Sequence, residues 1–392
     1  MQLAWAENMV RKTNKPALIL TPLAVAQQTY REANKFNIEA NVSRDGSIKP
    51  NITITNYEKL HLFSPNDFSG VVCDESSCIK AMDGKRRAEV TEFLRTVHYR
   101  LLCTATAAPN DYVELGTSSE ALGEMGQRDM ITKFFRTEQK KGHRNWSALK
   151  YTMRGHAQIH FWRWVCSWAR ACRKPSDLGF DDADFILPPL EENEYVVKAR
   201  TLRPGFLFDM PATNLLEEQE ERRRTINERC EKVAELMDTG KQAVIWCHLN
   251  PEGDLLAKII PDAKQVRGCD SLEKKEETYE AFTSGQLRVL VIKPKIGAYG
   301  LNWQFCSQVG MFASHSYEQS YQLIRRCWRF GQKEAVRVYR VLTEGEERIA
   351  KNLAAKRSKD ERMFKALIEQ MQWANRIEKP VYTEKETVPA WL

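Results

Sequence analysis

The 392-residue sequence holds no apolar run near the roughly 18 residues that a bilayer-spanning helix needs. Its N-terminus lacks a basic stretch followed by an apolar core and a small-residue cleavage site, which argues against secretion. The ten cysteines are scattered, with no Cys-x-x-Cys pair among them. They do not form a disulfide framework, and they read as the reduced thiols of an intracellular, cytoplasmic protein. Charged residues at 28% and aromatics at 10% exclude wholesale disorder. At about 150 residues per domain the length allows two domains, each able to bury a core. The 59 basic and 52 acidic residues leave +7, a mild pointer to a polyanionic partner.

The charge becomes informative once it is located. Between Ile131 and Pro175 stand Lys133, Arg136, Lys140, Lys141, Arg144, Lys150, Arg154, Arg163, Arg170, Arg173 and Lys174, opposed only by Glu138. That segment carries +10 and the remainder of the chain −3. It also holds Phe134, Phe135, Trp146, Tyr151, Phe161, Trp162, Trp164 and Trp168. Interleaved cations and aromatics suit phosphate contacts and base stacking. The spacing of Phe161, Trp164 and Trp168 equally predicts the buried face of a helix, so the aromatics are assigned mainly to a core and the cations to a surface.

Two α/β series follow one another. Residues 1–12 read as a helix, and Ala17–Thr21, Ile52–Thr55, Val71–Cys73 and Leu101–Thr104 as short apolar strands at βαβ-like separations. Such runs predict parallel sheets buried on both faces. Residues 115–190 read as helical and basic, closing at Pro188-Pro189. A charged helical stretch at 217–238 then opens a second series with strands at Ala243–Trp246, Val289–Ile292 and Val336–Leu342. The expected architecture is an α/β protein of two lobes, 1–215 and 225–350, with a terminal helix and tail over 351–392.

Three places carry residues suited to chemistry. Asp74-Glu75 follows the strand Val71–Cys73, at the carboxyl end where open parallel sheets bind ligands. One carboxylate there can hold a magnesium shell while its neighbour orients or deprotonates water; an acidic loop is the plainer alternative. Thr104 and Thr106 place hydroxyls at the same rim. Gln322, Arg326 and Arg329 stand at i, i+4 and i+7, which predicts one helical face with Gly331 as its stop. Guanidinium groups there can neutralise a transferring phosphoryl group, or simply form a solvated basic face. Gly297–Gln304 follows the Val289–Ile292 strand as a glycine-bearing turn.

Taken in order, these boxes resemble superfamily 2 helicases and translocases of the Swi/Snf-type branch and its phage relatives. Leu20-Thr21-Pro22-Leu23 is similar to motif Ia, Thr55-Asn56-Tyr57-Glu58 to motif Ib, Asp74-Glu75-Ser76-Ser77 to motif II and Thr104-Ala105-Thr106 to motif III. Gly297–Gln304 is similar to motif V, and Gln322, Arg326, Arg329, Gly331 and Gln332 fit motif VI. The resemblance implies two RecA-like lobes with a helical basic insert between motifs III and IV. It implies ATP and Mg2+ as cofactors, with Asp74 on the metal and Glu75 activating water. Arg326 and Arg329 would act catalytically on the phosphates, with Gln322 and Gly300 beside the nucleotide and Thr104 and Thr106 coupling the two activities. Thr21, Pro22, Asn56, Tyr57, Asn302, Trp303 and Gln304, with Lys140, Lys141 and Arg144 of the insert, would meet nucleic acid. The branch works on duplex DNA, so DNA is the implied polymer and RNA the alternative.

One departure stands out. The sequence contains no Gly-x-x-x-x-Gly-Lys-Ser/Thr, the loop that cradles the β- and γ-phosphates. In the family that loop precedes a helix like Met1–Val10. The expectation is a chain that begins at an internal methionine of a longer ancestor, with a first lobe incomplete at its N-terminus, unpaired strand edges in its core and impaired hydrolysis. A phage origin goes with the compact insert. The alternatives are a nucleic-acid-binding module without turnover, or a remnant of a helicase. His156, His160, Cys166 and Cys172 lack the close spacing of a structural zinc site, and Cys73, Cys103 and Cys247 read as packing groups.

Overall fold

The computed structural model describes every residue except 23–24, 82–83, 109, 140–148, 202–214, 298–300 and 378–392. It divides into two compact units, residues 1–173 with 360–392, and residues 174–359.

The first unit opens with α1 (Gln2–Thr13), β1 (Ala17–Thr21), α2 (Ala26–Lys35), β2 (Ala40–Val42), β3 (Ile52–Asn56), β4 (Gly70–Cys73), α3 (Lys85–Thr96) and β5 (Tyr99–Leu102). The strands form one parallel sheet in the order β2-β3-β1-β4-β5. Alternation along β1 explains its unbroken apolar run. Leu18 and Leu20 face a core with Val71, Cys73, Val90 and Leu94, while Ala17 and Ile19 face Leu3, Ala6, Ala33 and Ile54 on the other side. Both faces are covered by helices, so neither can be polar. The pairing runs without a break from β2 to β5, and β5, all of whose residues are half-buried, is an edge strand of this sheet.

The unit continues with α4 (Leu115–Leu122), α5 (Gln127–Phe134), the antiparallel hairpin β6 (Phe135–Gln139) and β7 (Leu149–Met153), and α6 (Gln158–Trp168). The hairpin corrects the all-helical reading of 115–190. Phe134, Phe135, Phe161 and Trp162 are buried together with Met363, Leu367 and Met371. Of the i, i+3, i+7 set only Phe161 is buried; Trp164 and Trp168 pack against this core half-buried, and Trp162, outside that spacing, is the tryptophan it encloses.

The second unit holds β8 (Leu190–Val197), α7 (Leu215–Arg224), α8 (Ile226–Leu236), β9 (Ala243–Trp246), α9 (Asn250–Ile259), β10 (Ala263–Val266), α10 (Leu272–Thr283), β11 (Val289–Ile292), α11 (Pro294–Gly297), β12 (Gln308–Phe312), α12 (Tyr317–Ile324) and β13 (Val336–Thr343). Its sheet is again parallel, in the order β10-β11-β9-β12-β13-β8. A last helix, α13 (Glu347–Ile377), begins in this unit and contributes from Asp360 onward to the first. The boundary expected near 215–225 thus falls at 173/174. The reason is β8, which pairs with β13 along eight residues, from Leu190↔Val336 to Val197↔Thr343. Helix α13 likewise is not a separate tail, because Met363, Leu367 and Met371 are core residues.

Candidate functional site

The carboxyl ends of β1, β3 and β4 bring Thr21, Asn56 and Asp74 to one rim of the first sheet. The backbone N–H of Asp74 still bonds Leu20 O at 2.8 Å, and then the chain turns: Glu75 adopts the left-handed conformation, φ 49° and ψ 50°. A non-glycine residue there is uncommon and marks a constrained turn. The turn is held by Ser76 N–H donating to Cys103 O at 2.8 Å, which ties the acidic pair to the loop that follows β5. From the first turn of α1, Gln2 Nε2 donates to Asp74 Oδ1 at 2.5 Å. From below, Tyr57 Oη donates to Asp74 O at 2.6 Å.

Three thiols surround this turn. Burial pushes the Cys73 thiol up beyond any physiological range, and Cys78 and Cys103 up to about 11. They stay protonated at neutral pH and pack, as expected of Cys73 and Cys103. Burial also raises the Tyr57 hydroxyl well above its ordinary value.

The rim corrects several expected contacts. Thr21, Asn56 and Tyr57 are buried, because their side chains finish the sheet and its underlying core; Thr21 Oγ1 donates to Thr55 O at 3.4 Å. Pro22 alone of that group is partly open. The strand expected at Leu101–Thr104 lies at Tyr99–Leu102, so Thr104 sits in the following loop, where its Oγ1 accepts from Thr106 N at 3.1 Å. Thr106 is fully buried, and its hydroxyl has no hydrogen-bond partner among the described residues.

In the second unit the structure joins two segments that the sequence separates. Helix α12 ends at Ile324, so Arg326 and Arg329 stand on the turns beyond it and not on the helical face predicted for them. Tertiary contacts stop the helix. Trp303 N–H donates to Arg326 O at 2.9 Å, Arg326 Nη1 to Leu301 O at 3.4 Å, and Arg329 Nη1 to Asn302 Oδ1. Gln332 rivets the two loops. Its Nε2 donates to Cys306 O at 3.0 Å and Cys327 O at 3.3 Å, and its Oε1 accepts from the N–H groups of Lys333 and Glu334, each at 2.9 Å. Gly331, at φ +94°, makes the turn between the arginines and this rivet.

Asn302 and Gln304 are exposed on this assembly and Gln322 is buried. Trp303 is not at the surface: it packs on Trp246 and Phe282 in the core of the second sheet. That removes it from the expected nucleic-acid contacts. Gly300, Lys140, Lys141 and Arg144 lie outside the described residues.

Of the remaining basic stretch, Lys133, Arg163 and Arg170 are exposed. Arg136 pairs with Glu138 at 2.9 Å, Lys174 with Asp182 at 2.6 Å, and Arg173 with the buried Asp360 at 3.3 Å. Part of the +10 is therefore already neutralised. A cleft of about 500 Å³ opens elsewhere on the second unit, lined by Arg223, Arg224, Asn227, Asp254 and Lys258. None of the expected site residues lines it.

Asp74 and Glu75 offer hard carboxylate oxygens, the donors magnesium takes, and magnesium is commonly bound by one or two carboxylates with water and phosphate. Among the described residues no group of three or more His, Cys, Asp or Glu is placed to enclose a metal. A cation at this turn would complete its shell from water and phosphate, which the acidic pair fits.

No family model matches the chain. Over 120 residues, 28% of this chain, it is 32% identical to the TATA-binding protein-associated factor mot1 of Schizosaccharomyces pombe and 29% identical to MOT1 of Saccharomyces cerevisiae. Over 85 residues, 21% of this chain, it is 35% identical to the bifunctional helicase and thymine dioxygenase JBP2 of Leishmania braziliensis. The aligned stretches span only 6% of the two factors and 8% of JBP2. A SWI2/SNF2 ATPase core of Sulfolobus solfataricus, solved in complex with dsDNA, aligns with 96% of this chain and 87% of its own at a TM-score of 0.38 and 17% identity. No helix among the described residues is long and apolar enough to cross a membrane.

Proposed function

We propose that this chain is the motor core of a Swi/Snf-type, DNA-stimulated ATPase that moves along duplex DNA. The observation that carries the reading is the acidic turn: Asp74 and the left-handed Glu75 at the carboxyl end of β4, inside a parallel sheet, with the first turn of α1 bonded to Asp74. In this reading Asp74 holds magnesium, which would neutralise phosphate charge when bound. Glu75 orients and deprotonates the attacking water. Arg326 and Arg329, fixed to Leu301 and Asn302, present guanidinium groups to the phosphates. Thr104 and Thr106 relay the state of that turn. Pro22, Asn302, Gln304 and the exposed cations of 131–175 meet the DNA backbone.

The test is Mg2+-dependent ATP hydrolysis with and without duplex DNA. Turnover by this chain is expected to be slow, since its sequence holds no Gly-x-x-x-x-Gly-Lys-Ser/Thr, so the ratios are the readout. DNA should raise the rate, and Glu75→Gln should lower it by about 100-fold or more, the scale of a lost general base, with DNA affinity unchanged. Hydrolysis that ignores both DNA and Glu75→Gln would overturn the reading.

A further inference from the structure

Two large aromatic side chains stand in the open beside the arginine loop. Phe185 is 54% and Phe330 62% exposed, and their rings stack on each other at 5.2 Å between centroids and 27° between planes. Phe330 directly follows Arg329 in the chain. Exposed aromatic pairs of this kind are costly in water unless something covers them.

The platform is firmly mounted. The segment that carries Phe185 is tied to the arginine loop by Trp328 Nε1 donating to Pro188 O at 2.7 Å and by Val336 N–H donating to Pro189 O at 3.0 Å. Just before Phe185, Ala183 holds φ +29°, a conformation that L side chains rarely adopt, and Phe185 N–H closes the turn on Asp182 O at 2.7 Å. Such strain persists where surrounding contacts over-determine the backbone. The nearby Asp182 is neutralised by Lys174 at 2.6 Å.

The charge around the rings says what would cover them. On the Phe330 side, Tyr321 to Lys333 contains Arg325, Arg326, Arg329 and Lys333 and no acidic residue, whereas the sequence before Phe185 holds Asp181, Asp182 and Asp184, of which Asp182 pairs with Lys174. An open π face next to clustered cations matches a ligand with an aromatic base at one end and phosphates at the other. Bases of an intact duplex are paired and stacked, and present no free face unless flipped out; the base of a mononucleotide is free. We infer that Phe185 and Phe330 form a stacking platform for the base of the nucleoside triphosphate whose phosphates Arg326 and Arg329 take. The inference rests on the proposed function for its ligand and adds the residues that recognise the base.

The test titrates the full chain with Mg·ATP to millimolar concentration, following the adenine H2 and H8 resonances, and separately with inorganic tripolyphosphate followed by phosphorus resonance. Ring currents should move H2 and H8 upfield in the wild type. Phe185→Ala and Phe330→Ala should abolish that shift and weaken ATP by about ten-fold, the scale of removing one aromatic–base stack. Tripolyphosphate binding should be unchanged, and Phe330→Trp should keep the shift. No upfield shift in the wild type, or equal losses for ATP and tripolyphosphate in the alanine variants, would overturn the platform while leaving the proposed phosphate role intact. Loss of single-stranded DNA affinity without loss of ATP affinity would overturn it too, placing a polymer base on the rings. If the wild type binds neither ATP nor tripolyphosphate, the proposed function and this assignment fall together.

Discussion

At the scale of single residues, the acidic turn and the arginine loop are built differently. Asp74 and Glu75 are held by backbone bonds and two side chains, Gln2 and Tyr57, that lie far away in sequence. In the arginine loop, beside the bonds made by Arg326, Trp328 and Arg329, one side chain, Gln332, satisfies four backbone groups. Gln332→Ala should therefore destabilise the second unit by about 2 kcal/mol or more, because buried carbonyls of Cys306 and Cys327 lose their donor. Gln332→Glu would keep the acceptor and lose the donor, and should cost a comparable amount. Urea unfolding followed by tryptophan fluorescence reads both, since Trp303 and Trp246 lie in the same core. Equal midpoints for wild type and Gln332→Ala would show that the loop is held by other contacts. The amide's role was not legible in the sequence: Gln332 is visible there as the end of a motif, but which carbonyls it reaches depends on how two loops 26 positions apart meet.

Elements buried on both faces were the easiest to read. The strands expected at Ala17–Thr21, Ala243–Trp246 and Val289–Ile292 are observed with those bounds, because a continuous run of small and branched apolar residues has nowhere else to go. Strands that break this pattern were missed. β8, at the sheet edge, runs Glu-Glu-Asn-Glu through its first half before its apolar end, β12 contains Gly310 where Ile245 and Val233 press close, and β2 is three residues long. The basic stretch hid the hairpin β6–β7 because its aromatics suit either period. Helix α9 shows an element whose start is fixed electrostatically. Glu252 is fully buried, accepts from the N–H groups of His248 and Leu249 at 2.8 and 2.9 Å, and pairs with the buried Arg229 at 2.7 Å. Glu252→Ala would strand the Arg229 charge in the core and expose two helix-end donors, and should cost about 3–5 kcal/mol. Glu252→Gln keeps an oxygen for the N–H groups and should cost less. A denaturant midpoint for Glu252→Ala within error of wild type would mean that water reaches Arg229.

At the scale of the whole molecule, charge was legible in amount but not in commitment. The +10 of residues 131–175 includes Arg173, whose partner Asp360 lies 187 positions away and whose guanidinium also sits 3.9 Å from the Phe364 ring centroid. That arginine is structural: Arg173→Ala should lower stability, because Asp360 is 4% exposed and would lose an ionic partner. Lys140, Lys141 and Arg144 are the cations expected to meet nucleic acid. If they face a phosphate backbone, their joint reversal to Glu should weaken duplex binding alike for every sequence tried. The slope of log affinity against log salt should also flatten by about 0.9 for each phosphate that is no longer neutralised, because fewer counterions are released. Binding measured by fluorescence anisotropy across a salt series separates the two classes. The triple variant should change slope with its unfolding midpoint intact, and Arg173→Ala should change the midpoint with little change in slope. An unaltered slope in the triple variant would move the DNA-facing surface to the other exposed cations of the first unit, Lys133, Arg163 and Arg170.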